Sequence, residues 1–104
     1  MTTEHDVLWN QLINHILAWK DDTSLGIYQP EDAAIDAAVK FAIDRRGQGD
    51  SVPDSVVPIG DGGLSMEWNV DGHTRIVDFR ESGVAEITEF DRDGKVTNRS
   101  RSRT

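Results

Sequence analysis

Residues 60–72 read GDGGLSMEWNVDG, a short run of alternating apolar and polar residues enclosed by two glycine-containing turns. The apolar members occupy every second position. In an extended chain they share one face and the polar members share the other, as a half-buried strand requires. The apolar face consists of Leu64, Met66, Trp68 and Val70. This stretch therefore predicts one strand of a small antiparallel sheet.

Further turn signals follow at a regular spacing. Asp71-Gly72 ends this first run, and Glu81-Ser82-Gly83 and Asp93-Gly94 follow at intervals of about ten residues. Short apolar runs separated by such turns are typical of consecutive antiparallel strands. We expect strands at about residues 56–59, 64–70, 74–80, 84–90 and 95–98.

Two helical segments precede the strands. From about residue 4 to residue 20, apolar side chains recur every three or four positions, which places them on one stripe of an amphipathic helix. From about residue 30 to residue 46 a second helix is expected, because Pro30 suits its first turn and Gly47 its end. The expected buried side of this second helix comprises Ile35, Ala38, Val39, Ala42 and Ile43. Its many alanines permit close approach of another backbone, so the two helices should form an αα-hairpin.

These elements predict a single α+β domain over residues 1–98. The N-terminal helical hairpin is expected to pack on one face of a four- to five-stranded antiparallel β-meander, in two layers. A polar, breaker-rich linker of residues 47–55 connects the two halves. Residues 99–104 are expected to form a basic, disordered tail, because chain ends often fray.

Charge is distributed unevenly along the chain. The 104 residues have a formal net charge of −8, residues 1–98 hold 19 acidic and 8 basic side chains, and Arg99, Arg101 and Arg103 lie in the last six positions. An acidic surface repels phosphate backbones, so direct binding of nucleic acid is disfavoured. The absence of cysteine excludes disulfides and thiolate chemistry. No apolar run approaches the roughly 20 residues that span a bilayer, and no signal peptide is recognised, so we expect a cytoplasmic protein without a membrane partner.

No motif predicts a cofactor or metal site. The Gly60–Gly63 turn leads into a strand and has no nearby lysine, so a tight hairpin explains it better than a phosphate loop. The segment from Asp91 to Gly94 is similar to the start of a calcium loop, but the twelfth position, which needs a bidentate glutamate, is Ser102. The three histidines do not have the spacing of a zinc site.

No catalytic residue is predicted either. Glu67 and Asp78 are plausible neighbours on paired strands, with Arg75 or Arg80 beside them. Cross-strand ion pairing on a solvated face explains these residues more simply than acid–base catalysis. We therefore expect a protein that is not an enzyme.

A candidate interface lies on the face of the sheet away from the helices. Alternation places Ile76 on the face of its strand that is opposite to the face of Val77 and Phe79. In the next strand, Val84 and Phe90 likewise lie on the face opposite to that of the other apolar residues. A contiguous apolar patch formed by Ile76, Val84 and Phe90 would mark a site for a partner or for self-association. Alternatively, strong twisting of the sheet buries these side chains in a second small core.

The segment from Pro58 to Trp68 resembles a signature of small uncharacterised bacterial proteins. In these proteins a Pro-x-Gly-Asp-Gly-Gly hairpin precedes an alternating strand that ends in Glu-Trp, and an Asp-Gly-Lys turn lies near the C-terminus, as Asp93-Gly94-Lys95 does here. The resemblance covers roughly residues 56–96. It implies a shared architecture and attaches no function to any residue.

Three functions remain open at this stage. The first is a non-enzymatic protein–protein interaction module of the immunity, antitoxin or inhibitor type, with a protein partner or as a homodimer. The second is a small-molecule-binding protein or enzyme with a pocket between the helices and the sheet, lined by Trp9 and Trp68. The third is a nucleic-acid mimic, although the acidic residues are scattered rather than placed at phosphate-like intervals.

Overall fold

The computed structural model describes residues 3–80 and 84–103, so the expected turn at Glu81-Ser82-Gly83 lies outside the described residues. The chain forms two helices and then five strands, as predicted. Short 3₁₀ segments at Trp19–Asp21 and Thr23–Tyr28 connect the helices. The elements are α1 (Glu4–Ala18), α2 (Asp32–Gly47), β1 (Ser55–Gly60), β2 (Gly63–Val70), β3 (His73–Phe79), β4 (Val84–Phe90) and β5 (Val96–Arg103).

The five strands form one antiparallel sheet in the order β1-β2-β3-β4-β5, which confirms the meander. Two of its hairpins depend on backbone with positive φ. Asp61 and Gly62 have φ of 52° and 78°, and Asp71 and Gly72 have φ of 52° and 83°. Positive φ at both central residues is the signature of a type I′ turn, which matches the twist of the flanking strands.

The C-terminal segment differs from the sequence-based expectation. The prediction of a disordered tail over residues 99–104 was wrong as far as Arg103, because β5 continues to that residue. Arg99 pairs with Thr88 and Ser102 pairs with Ala85 in the antiparallel ladder with β4. Backbone pairing with a formed neighbouring strand orders this segment, and such pairing does not require apolar side chains.

The helices cover one face of the sheet. Helix α2 lies against β2, β3 and β4, and α1 packs against α2. Because α2 is buried on two sides, small residues are needed along it, and Ala34, Ala38 and Ala42 have no exposed surface. Phe41 fills the space above the sheet, with its ring centroid 5.3 Å from that of Phe79 and 6.4 Å from that of Trp68.

The predicted buried side of α2 was wrong at one position. Ile43 is 47% exposed, whereas Phe41, which was not assigned to that side, is buried. Helix α2 is rotated about its axis so that Phe41, rather than Ile43, faces the apolar surface of the sheet. Burial of the aromatic ring removes more apolar area from water than burial of Ile43 would.

The linker between the halves is held from both sides. The indole N–H of Trp9 donates to the carbonyl oxygen of Asp50 at 2.7 Å, and that of Trp68 donates to the carbonyl oxygen of Ser51 at 3.0 Å. The carboxylate of Asp50 also lies 3.2 Å from the Arg45 guanidinium. These contacts join α1, α2 and β2 through a segment that has no regular secondary structure of its own.

Candidate interaction surface of the sheet

The predicted interface residues lie on the face of the sheet opposite to the helices. Ile76, Val84 and Phe90 alternate with Val77 and Ala85, which belong to the core beneath α2. All three predicted residues are half-buried. Sequence reasoning therefore identified the correct face of both strands.

The register does not bring these three residues together into one apolar patch. Ile76 is flanked across the sheet by Glu67 on β2 and by Thr88 on β4. Val84 and Phe90 lie at opposite ends of β4, six residues and roughly 20 Å apart at the usual strand rise. Phe90 lies opposite Val96 and diagonal to Ile76, whereas Val84 stands apart from them, so the open face is a mixed polar surface with a small apolar group at one end.

Charged side chains form a row across this open face. Asp78 lies opposite Glu86, and Glu86 lies opposite Arg101, whose guanidinium is 3.0 Å from the Glu86 carboxylate. Glu67 and Asp78 lie on the same face in diagonal positions, because Glu67 pairs with Ile76. Arg75 points to the opposite face, where its guanidinium lies 4.8 Å from the ring of Trp68. Glu67 and Asp78 therefore lie on the open face, and Arg75 lies on the helix side.

The two edges of the sheet differ in their protection. At one edge, β1 contains Pro58, which has no backbone N–H, and the 3₁₀ segment Thr23–Tyr28 packs against it. At the other edge, β5 pairs with β4, and all residues from Val96 to Ser102 are exposed. Among the described residues, no further strand pairs with the outer side of β5. An edge of this kind presents free backbone donors and acceptors.

Basic residues are concentrated at the same edge. Residues 92–103 contain five basic side chains and one acidic one, whereas residues 1–91 contain 6 basic and 18 acidic ones. Alternation along β5 places Arg99 and Arg101 on the open face of the sheet. Within the described ranges, Arg101 pairs with Glu86, and Arg99 has no ion-pair partner. The repeated Arg-Ser alternation of this segment was the sequence signal for a strand that the apolar pattern missed.

A groove of about 350 Å³ lies beside Trp68 at the end of the sheet, and its lining includes Arg75 and Glu89. Trp9 is not part of this lining, and Trp9 and Trp68 are 0% and 5% exposed. The alternative of a small-molecule pocket between helices and sheet requires Trp9 and Trp68 in its lining, but both side chains belong to the core and only Trp68 borders the open groove.

The turn between β4 and β5 uses the carboxylate of Asp91 internally. Asp91 Oδ1 accepts hydrogen bonds from the backbone N–H groups of Asp93 and Lys95, at 2.9 and 3.0 Å. This is the behaviour of an Asx-type turn. In the part of the chain that the structure describes, no group of three or more His, Asp or Glu side chains is arranged to hold a metal ion.

Comparison with protein-family models, with curated proteins and with solved structures gives no match to this chain. Among the described helices, none has the length and apolar character needed to cross a membrane.

Proposed function

We propose that this protein is a non-enzymatic interaction module of the cytoplasm that binds an extended, acidic segment of a protein partner along β5. The observation that carries the proposal is the exposure of β5 from Val96 to Ser102, in a sheet whose other edge strand contains Pro58 and packs against Thr23–Tyr28. Immunity proteins, antitoxins and inhibitors act in this way, by occupying a surface of their target rather than by chemistry.

The backbone of β5 selects the class of partner. An exposed edge offers a row of N–H and C=O groups at the spacing of a neighbouring strand, and an extended polypeptide can pair with all of them. A nucleic acid has no matching row of donors and acceptors. The edge therefore favours a peptide segment over a nucleic acid.

The side chains of β5 select the charge of the partner. A strand added beside β5 places its alternate residues next to Arg99 and Arg101 on the open face. Acidic residues at these positions continue the pattern of opposite charges that Glu86 and Arg101 already form. The expected partner segment is therefore an extended strand of about eight residues, with Asp or Glu at every second position.

The same charges disfavour self-pairing through this edge. A two-fold antiparallel pairing of two β5 strands keeps the helices of both copies on one side of the joined sheet. It therefore places Arg99 and Arg101 of both copies next to one another on the other side. Like charges in adjacent cross-strand positions are destabilising, so a different chain is the preferred partner.

The proposal is tested with fluorescently labelled peptides of eight residues that alternate Glu and Thr. The matched control peptide has the same sequence but carries N-methyl groups on the backbone nitrogens of alternate residues, which removes one hydrogen-bonding edge. We expect saturable binding of the first peptide, measured by anisotropy, and binding of the control that is weaker by tenfold or more, or about 1.4 kcal/mol.

Two variants separate the effect of charge on β5 from the effect of the net charge of the protein. Arg99→Glu and Lys40→Glu change the net charge equally, but Lys40 lies on α2, far along the chain from the sheet edge. Only Arg99→Glu should weaken peptide binding. Equal binding of both peptides, or equal effects of both variants, would refute the proposal. Tighter binding of a single-stranded octanucleotide, or dimerisation in sedimentation that competes with the peptide, would assign the edge to nucleic acid or to self-association instead.

A further inference from the structure

The groove beside Trp68 contains a second set of features that the sheet edge does not use. It lies at the end of the sheet, next to the linker, and has a volume of about 350 Å³. This volume falls at the lower end of the range for small-ligand sites. Its lining includes Ser51, Trp68, Val70, Arg75, Glu89 and Phe90.

The floor of the groove is a cross-strand row of three residues. Trp68 on β2 lies opposite Arg75 on β3, and Arg75 lies opposite Glu89 on β4. The hydrogen bond from the Trp68 indole to Ser51 fixes the orientation of the ring. The guanidinium of Arg75 stacks 4.8 Å from the centre of this ring, which fixes the cation as well.

Arg75 and Glu89 do not neutralise each other. Although they are direct neighbours across the sheet, no ion pair within 4.0 Å joins them, and no hydrogen bond from the Arg75 guanidinium or to the Glu89 carboxylate is found among the described residues. The stacking on Trp68 holds the cation away from its register partner. One donor group and one acceptor group therefore remain free on the same floor.

Apolar surface adjoins this pair of charges. Val70 is 60% exposed and Phe90 is half-buried, and both line the groove. His73, the register partner of Val70, also lines it. The groove thus combines a fixed cation, an anion at cross-strand distance and a small apolar surface.

We infer that this groove binds a small zwitterion with an apolar side chain, of the size of a free amino acid. The ligand carboxylate pairs with the Arg75 guanidinium, whose planar array of donors matches a carboxylate in bidentate geometry. The ligand ammonium pairs with Glu89, and the apolar side chain contacts Val70. A purely anionic or purely cationic ligand would leave Glu89 or Arg75 uncompensated, and therefore binds less well.

The inference is tested by titrating the peptide-free protein with L-leucine and following backbone amide resonances by NMR. Two analogues remove one charge each: leucinamide lacks the carboxylate and N-acetyl-leucine lacks the ammonium. We expect saturable shifts for residues of β3 and β4 with L-leucine, and affinities lower by tenfold or more with either analogue. These comparisons use the unaltered protein, so they do not depend on the folding of any variant.

Arg75→Gln and Glu89→Gln should each weaken binding of L-leucine by tenfold or more. The matched controls, Arg80→Gln and Glu67→Gln, remove the same charges from positions that alternation places on the open face of the sheet, and they should bind as the unaltered protein does. The inference is overturned if L-leucine causes no saturable shift at millimolar concentration, if both analogues bind equally well, or if the two pairs of variants behave alike. None of these results bears on peptide binding at β5.

Discussion

Trp9 and Trp68 belong to different layers of the domain, yet their indole N–H groups donate to the carbonyl oxygens of two consecutive residues, Asp50 and Ser51. One tryptophan extends from α1 and the other from β2. Both rings are almost completely buried. The linker between the helical half and the sheet is therefore a fixed structural element, and it also forms one side of the groove beside Trp68.

Replacement of Trp68 by Phe should lower the free energy of unfolding by more than the smaller size of the phenyl ring alone explains. It removes the hydrogen bond from the indole to the Ser51 carbonyl, and a hydrogen bond of this kind contributes about 0.5–1.5 kcal/mol. Trp19→Phe is the matched control, because Trp19 is 7% exposed but its indole makes no hydrogen bond among the described residues. Urea unfolding of both variants measures the difference. Equal losses would show that the hydrogen bond to the linker contributes nothing.

Gly62→Ala should destabilise the domain more than Gly94→Ala does. Both glycines have φ close to +80°, so backbone strain of about 1–2 kcal/mol is common to the two substitutions. A Cβ at position 62, however, would lie 2.6 Å from Cγ of Glu31, whereas position 94 has no heavy atom within 4 Å. The β1–β2 turn and the start of α2 meet here, and the N–H of Glu31 donates to the carbonyl oxygen of Gly62 at 2.8 Å.

A double-mutant cycle with Glu31→Ala isolates the steric part of this effect. If the clash is responsible, Gly62→Ala costs less in the Glu31→Ala background, and thermal unfolding of the four proteins measures the coupling. Equal costs in both backgrounds would assign the whole effect to backbone strain.

Deletion of residues 99–104 should destabilise the sheet, because residues 99–103 pair with β4 from Val84 to Thr88. Amide hydrogen exchange of β4 should accelerate when its outer neighbour is removed. The full-length variant Arg99→Ser/Arg101→Ser keeps the strand and removes only exposed charges, so its effect should stay within about 1 kcal/mol. Unchanged protection of β4 in the deletion would restore the interpretation of this segment as a tail.

The contact between Lys20 and Asp36 should add stability that disappears at alkaline pH. Lys20 Nζ lies 2.7 Å from the Asp36 carboxylate, and this hydrogen bond, supported by the charge of Asp36, raises the pKa of Lys20 above its ordinary value. A lysine whose pKa is raised on folding contributes stability below its unfolded pKa of about 10.4. This contribution is lost as the pH rises through the folded pKa.

The measurement for Lys20 is the difference in unfolding free energy between the unaltered protein and Lys20→Gln, determined from pH 8 upward. The difference should be small, because the pair lies at the surface, and it should decline above the ordinary pKa of lysine. A difference that is constant across this range would contradict the assigned cause.

The period of the apolar residues was sufficient for the helices, for the first four strands and for the faces of these strands. Leu64, Met66 and Trp68 are buried as their alternation predicts, because a side-chain period of two allows only one face to meet the core. The positions of the turns could also be predicted from the sequence, since few residues other than glycine adopt positive φ without strain. Ile76, Val84 and Phe90 were assigned to the correct face for the same reason.

Register and layer geometry required the folded chain. Alternation does not say which residue stands opposite Ile76, so the polar neighbours that interrupt the expected patch were not visible. Arg75 was expected beside Glu67 and Asp78 on a solvated face, but it lies on the helix side with Val77 and Phe79, as the alternation of its strand requires. Its stacking on Trp68 and its separation from Glu89 depend on contacts across the sheet.

The chain by itself thus determined an α+β domain, its two helices, its meander and the acidic character of its body, because these depend on local periodicity, turn chemistry and composition. Only the tertiary structure decided that Phe41 rather than Ile43 meets the sheet, that the arginine-rich C-terminal segment is the uncovered edge strand, and that two tryptophans hold the linker. These features depend on which surfaces meet in space. That choice is made by burial and backbone pairing between residues far apart along the sequence.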